Sequence, residues 1–198
     1  MAARTVIHYT DYKSPYAYLA FDPIMALAQR YDINLITRPY TLDIPSYLGA
    51  VVTRDDHQWR RVKYSYADCR RMANERGLTL YGPKKIFDTR QANIAMMYAD
   101  QAGLLEAYVR AAFISFFKRE FDPENPERVA EMLKSVGVDT ADFDDYANGA
   151  GGVAHDRCRD EAEEMGVFGV PMLVIDGDLF WGGDRIAAAE TRLQRLLT

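Results

Sequence analysis

Thr5-Val6-Ile7-His8-Tyr9-Thr10, and then Ser14-Pro15-Tyr16-Ala17, is the stretch on which the reading of this chain turns. The first run is rich in apolar and β-branched residues and reads as a strand. The residues from Tyr18 to Tyr31 carry a helical pattern. A strand thus hands a short motif to the N-terminus of a helix. Ser14 and Ala17 stand at the Cys-x-x-Cys spacing of a thiol oxidoreductase, and neither is a cysteine. Disulfide exchange needs a thiolate that attacks and a disulfide that is attacked. A hydroxyl supplies neither, yet it can donate a hydrogen bond to a thiolate carried in by another molecule. Ser14 also has a plain structural role open to it, as the N-cap of a helix whose first turn holds Pro15.

Working outward, Asn34 to Arg38 alternates polar and apolar residues and then meets Pro39, which reads as a second strand ended by a turn. Strand, helix and strand fill the first forty or so residues, the length of a βαβ unit. From Asp43 to Asp56 the pattern is irregular. Arg60 to Glu75 is helical, with Gly77 as its stop. Thr89 is a candidate cap for a helix running to Gly103, and Leu105 to Arg119 is a further helix. Asn125-Pro126 starts another as cap and first helical residue. Thr140 is a candidate cap for a short helix, and the glycine-rich Asn148 to Gly152 precedes a helix over Ala154 to Met165. Residues 43–165 therefore read as a helical block without a strand.

Strands return in Met172-Leu173-Val174-Ile175 and Leu179-Phe180-Trp181. The Asp176-Gly177-Asp178 between them is a strong hairpin signal. Gly182-Gly183-Asp184 opens a last helix. Gly166-Val167-Phe168-Gly169-Val170-Pro171 leads into the hairpin, and a proline at a strand start marks a special backbone. The composition bounds the class. The chain has 198 residues, 48% hydrophobic residues and a net charge of −5, which suits a globular protein and argues against nucleic acid as its main partner. It has no run of about 18 apolar residues, so no membrane span is expected. Met1-Ala2-Ala3-Arg4 lacks the apolar core of a secretory signal, and a cytoplasmic protein is expected. Cys69 and Cys158 are expected to be free, buried thiols. His8, His57 and His155 share no ligand spacing, and no metal site is expected.

Ser14-Pro15-Tyr16-Ala17-Tyr18-Leu19-Ala20, Gly166 to Pro171, and Asp176 to Arg185 together resemble the 2-hydroxychromene-2-carboxylate isomerase family, which is related to kappa-class glutathione transferases and, more distantly, to DsbA. Lys63, Tyr66, Asp68-Cys69-Arg70-Arg71-Met72-Ala73, Gly77-Leu78 and Pro83 extend the match over nearly the whole length. The resemblance implies an α/β protein: a thioredoxin-like domain (1–42 and 166–198) interrupted by a large all-helical insertion (43–165), with glutathione in the cleft between them. It implies that Ser14 contacts the glutathione sulfur and that the bond before Pro171 is cis. It also implies that Val170 pairs with the cysteinyl backbone and that Asp184 and Arg185 hold the γ-glutamyl end. A homodimer is implied on the same ground. One departure stands out: no asparagine occurs between Leu48 and His57, where the family usually has one. This loop should border the substrate, so the departure bears on the particular reaction more than on glutathione binding.

The chemistry fits these roles. A free thiol of pKa about 8.5 is mostly protonated at neutral pH. A hydroxyl donor and a helix N-terminus both favour its thiolate. Asp184 offers a carboxylate to an ammonium group, or else caps the last helix. Lys63 is a candidate for a glycyl or substrate carboxylate, or else a solvated surface lysine. Tyr16 and Tyr64 are candidates to hydrogen-bond a substrate oxygen, and Tyr12, Trp59 and Phe87 are further candidate pocket aromatics. Arg70 and Arg71 face the alternatives of a carboxylate substrate or a surface ion pair. Phe113, Phe116, Phe117 and Phe121 follow helical spacing and belong to the core. The expected activity is an enzyme in which glutathione thiolate adds to an aromatic-derived unsaturated acid or other small electrophile. An isomerase returns the glutathione, whereas a kappa-like transferase consumes it. A non-catalytic module holding peptides through Val170 is the third possibility.

Overall fold

The computed structural model describes residues 3–197. β1 (Arg4–Thr10) leads into α1 (Pro15–Arg30) and β2 (Ile33–Pro39), which lies parallel to β1 with Val6 opposite Leu35. β3 (Met172–Ile175) runs antiparallel on the other side of β1, and β4 (Asp178–Trp181) pairs antiparallel with β3. The sheet order is β2-β1-β3-β4. The hairpin turn forms where Asp-Gly demands it: Asp176 and Gly177 take φ of 54° and 84°, the positive values that match the twist of two tightly connected strands.

Seven helices lie between β2 and β3 among the described residues: α2 (Ile44–Leu48), α3 (Asp56–Glu75), α4 (Arg90–Gln101), α5 (Leu105–Phe117), α6 (Pro126–Ser135), α7 (Phe143–Asn148) and α8 (Ala150–Glu164). A 3₁₀ turn (Gly183–Arg185) and α9 (Ile186–Leu197) close the chain. This is the thioredoxin-like α/β arrangement with a helical insertion that the sequence led us to expect. The sheet is sealed by buried Val6, Met172, Leu173 and Ile175, and the aromatic residues of α5 pack on α1, with Tyr18 stacked 5.1 Å from Phe117 at 10°. Phe113, Phe116, Phe117 and Phe121 are all in this core, and both cysteines are free and buried. No described helix is long and apolar enough to cross a membrane.

Several local expectations need correction. The stretch read as irregular contains α2, which starts just after Asp43 with Pro45 in its first turn. α3 begins four residues before Arg60, because Asp55 and Gln58 form a reciprocal capping box at 2.7 and 3.0 Å. Thr140 does not cap α7; the residue before its first turn is Asp142. α8 takes in Gly151 and Gly152, where the sequence looked flexible. A Cβ at Gly151 would stand 2.4 Å from the Tyr146 ring and 2.8 Å from the Tyr146 carbonyl oxygen. That glycine is therefore there for close packing.

Candidate active site at the N-terminus of the first helix

Ser14 is the N-cap of α1. Its hydroxyl oxygen accepts the Ala17 amide at 3.1 Å, and Pro15 occupies the first turn, so the structural role read from sequence is taken up. The same hydroxyl donates to the carbonyl of Val170 at 3.3 Å. The Val170-Pro171 bond is cis. The two distant motifs, Ser14-Pro15 and Val170-Pro171, thus meet. No acidic residue lies in the first turn of α1, so nothing there cancels the partial positive charge that the helix end presents.

Asp11 fixes the turn that delivers Ser14. Its backbone carbonyl accepts the Ser14 amide at 3.1 Å. Its fully buried carboxylate accepts the Leu42 amide at 2.9 Å, the Asn93 side-chain amide at 3.2 Å and the Thr89 hydroxyl, with the Lys13 ammonium 3.6 Å away. Thr89 spends its hydroxyl here and not on capping α4. Asn93 reaches on to Thr41, and Thr41 to His155 at 2.8 Å. The turn that carries Ser14 is in this way tied to the segment just after β2, to α4 and to α8. Sequence reading missed this hub, since its members are up to 82 residues apart from Asp11 and follow no motif.

A cleft of about 660 Å³ opens beside the cis-proline loop. On one side are Val170, Pro171, Trp181 and the Gly182–Ile186 turn; on another are Tyr16, Leu19, Ala20 and Pro23 of α1; the third wall is Asp68, Met72 and Arg76 of α3. The last three are four residues apart and so share one helical face. Ser14 itself is 6% exposed and outside the lining of this cleft; it reaches the cleft through its hydrogen bond to Val170, which does line it. Gly182 has φ of 105°, and a Cβ there would come within 2.5 Å of the Asp184 carboxylate, so glycine is required for that turn to hold Asp184 where it is. The Gly182 amide donates to the Pro171 carbonyl at 2.9 Å, which ties the turn to the cis-proline loop.

Of the residues singled out from sequence, the structure brings together Ser14, Tyr16, Val170, Pro171, Asp184 and Arg185. Asp184 and Arg185 are largely exposed at the cleft edge with their charges 3.6 Å apart; Asp184 lies inside the 3₁₀ turn and not at a helix cap. Tyr16 donates to Asp68 at 3.1 Å, and burial, with the neighbouring Cys69 thiol and Asp68, raises its phenol well above the ordinary range. It remains a neutral donor. Burial likewise pushes the Cys69 thiol up to about 12, so it stays protonated and unreactive near neutral pH. Lys63 and Tyr64 are exposed on α3 and outside the lining of the cleft, Tyr64 one turn before Asp68. Tyr12 is wholly buried against Phe113, Trp59 lies under Arg54, and Phe87 packs edge-on to Phe116. Arg71 makes the ion pair with Asp68 at 3.0 Å, and Arg70 donates to the Leu80 carbonyl. Trp181 and Arg76 line the cleft without having been singled out.

Comparison with known proteins bears on the family and the fold. The chain is 29% identical over 194 residues to a 2-hydroxychromene-2-carboxylate isomerase of Sphingobium xenophagum, covering 96% of this chain and 98% of that protein. A solved structure of a 2-hydroxychromene-2-carboxylate isomerase superposes with a TM-score of 0.80 at 26% identity, over 98% of this chain and 96% of that one. A probable DsbA oxidoreductase of Streptomyces coelicolor shares the fold, with a TM-score of 0.78 at 19% identity over 96% of this chain and 89% of that one. The profile of the DSBA-like thioredoxin domain matches residues 5–194, and the chain belongs to that family.

Proposed function

We propose that the chain is a glutathione-dependent isomerase of the 2-hydroxychromene-2-carboxylate type, acting on an aromatic-derived unsaturated acid. The observation that carries this reading is the Ser14 hydroxyl, held at the N-terminus of α1 and 3.3 Å from the carbonyl that precedes cis Pro171. Neither cysteine is at that helix end. The relatives named as isomerases, matched over nearly their full length, supply the reaction class.

Ser14 has a single O–H, and it is spent on the Val170 carbonyl. Glutathione relieves that bond. Its cysteinyl N–H donates to the Val170 carbonyl, which frees the Ser14 O–H to turn to the sulfur. A charge-assisted hydrogen bond contributes about 1.5–3 kcal/mol. About 1.4 kcal/mol in favour of the thiolate lowers the thiol pKa by about one unit. Asp184 and Arg185 take the ammonium and carboxylate of the γ-glutamyl end; Lys63, exposed on α3 outside the lining of the cleft, is left without a role in holding glutathione. The hemiketal ring first opens, its C2–O bond breaking as the hydroxyl proton passes to the phenolic oxygen, which leaves a ketone conjugated with the double bond. The thiolate then adds to the far carbon of that double bond, and the electron pair moves onto the ketone oxygen as an enolate. The former double bond rotates, and the enolate expels the thiolate. Glutathione is returned unchanged, and Tyr16 donates to a substrate oxygen once its O–H turns away from Asp68.

The test is turnover of 2-hydroxychromene-2-carboxylate with and without glutathione, by wild type and Ser14→Ala. The reading expects a rate that requires glutathione, full recovery of free glutathione, and a drop of about tenfold or more in Ser14→Ala. Equal rates without glutathione refute it. Loss of glutathione in step with product marks a transferase instead.

A further inference from the structure

Pro23 interrupts α1 from within. A proline has no N–H, so the carbonyl four residues earlier, that of Leu19, loses its helical partner. The structure shows what takes its place: Arg76, at the end of α3, donates from Nη1 to the Leu19 carbonyl at 2.6 Å. All three residues line the cleft. The guanidinium has five N–H donors in a rigid fork, and one of them is committed. Arg76 makes no ion pair with any described carboxylate, whereas the other charged groups of the lining are engaged. Asp68 is held by Tyr16 and Arg71, and Asp184 and Arg185 face each other.

From these observations we infer that Arg76 is a carboxylate anchor of the cleft, set in place by the carbonyl that Pro23 leaves open. The Leu19 bond fixes the side chain against α1 and leaves the other edges of the fork for a bidentate grip on a ligand carboxylate. Lysine at this position could reach the Leu19 carbonyl but would lack the planar fork for a bidentate grip. The apolar lining of Leu19, Ala20, Met72 and Trp181 places this cation at the end of a surface fitted to an organic acid. The inference rests on the proposed function for the ligand's identity. Two carboxylates fit the same chemistry: that of the γ-glutamyl end of glutathione, which Arg76 would share with Arg185, and that of the aromatic acid.

The experiment measures dissociation constants by calorimetry for wild type, Arg76→Gln and Pro23→Ala. The probes are glutathione, its glycyl monoethyl ester, its diethyl ester, 2-naphthoate and 2-naphthamide. If the anchor holds glutathione, Arg76→Gln weakens glutathione and its monoester about tenfold and leaves the diester unchanged. If it holds the aromatic acid, the variant weakens naphthoate about tenfold and leaves naphthamide unchanged. Pro23→Ala, in which the helix reclaims the Leu19 carbonyl, weakens the same acid by about threefold although Arg76 is intact. Losses equal for the acid and its neutral analogue, or no loss with any acid, overturn the inference. Should wild type bind no glutathione, the functional proposal fails while the naphthoate pair still decides the role of Arg76; wild type that binds neither acid overturns both.

Discussion

Lowering the pH from 7.5 to 5 is expected to remove about 2 kcal/mol of folding stability through one residue, His8. Its ring is fully buried on β1, 6.3 Å from the Phe21 ring, with Nδ1 3.2 Å from the Thr37 hydroxyl and Nε2 unpartnered. Burial holds its pKa down to about 3, against an ordinary 6.5. The sign follows. Between these values the unfolded chain takes up a proton that the native ring refuses, so stability is complete above pH 6.5 and is lost as the pH falls toward 3. At pH 5 the unfolded imidazole is almost fully protonated, and the difference amounts to about 2 kcal/mol; at pH 7.5 it is near zero. Urea denaturation at pH 7.5, 6 and 5 measures it. In His8→Gln, which cannot titrate, the drop between pH 7.5 and 5 should be smaller than in wild type by about this amount. A residual slope is expected, because burial also lowers the pKa of His155. Identical pH slopes in the two proteins would refute the reasoning.

Two further substitutions test the packing around the site. Asp11→Ala removes the acceptor shared by Leu42, Thr89 and Asn93 and leaves the Lys13 side chain, only 8% exposed, without its counter-ion; a loss of about 3–5 kcal/mol is expected in urea unfolding. A change under about 1 kcal/mol would show that the hub does not hold the active-site turn. Gly151→Ala forces a methyl against both the ring and the backbone of Tyr146, and it should cost about 2 kcal/mol or more despite alanine's better helix propensity, whereas a stabilised variant would contradict the packing account.

The parts of the fold that were legible in the sequence are those set by short-range chemistry. The β1 to α1 front end, the Asp176-Gly177 hairpin and the Asn125-Pro126 helix start each follow from a few adjacent residues. Ser14 and Val170-Pro171 were legible as a pair only through family resemblance, since 156 residues separate them. What escaped depends on contacts at a distance. Thr89 looks like a cap until Asp11 claims its hydroxyl, and Gly151 looks flexible until Tyr146 closes over it. Arg76 looked like any charged helix end, because its meaning depends on a proline 53 positions earlier whose missing N–H exposes a carbonyl on another helix. Lys63 and Tyr64 show the converse: motif position singled them out, while the cleft face of α3 is set by the Asp68, Met72 and Arg76 spacing.

The most direct test of the central claim is the ionisation of glutathione bound to the protein, followed by thiolate absorbance in a pH titration at saturating protein. The account predicts a thiol pKa at least about one unit below the ordinary 8.5 or so, reverting toward it in Ser14→Ala. A bound thiol that titrates as free glutathione does, or no association at all, would contradict it.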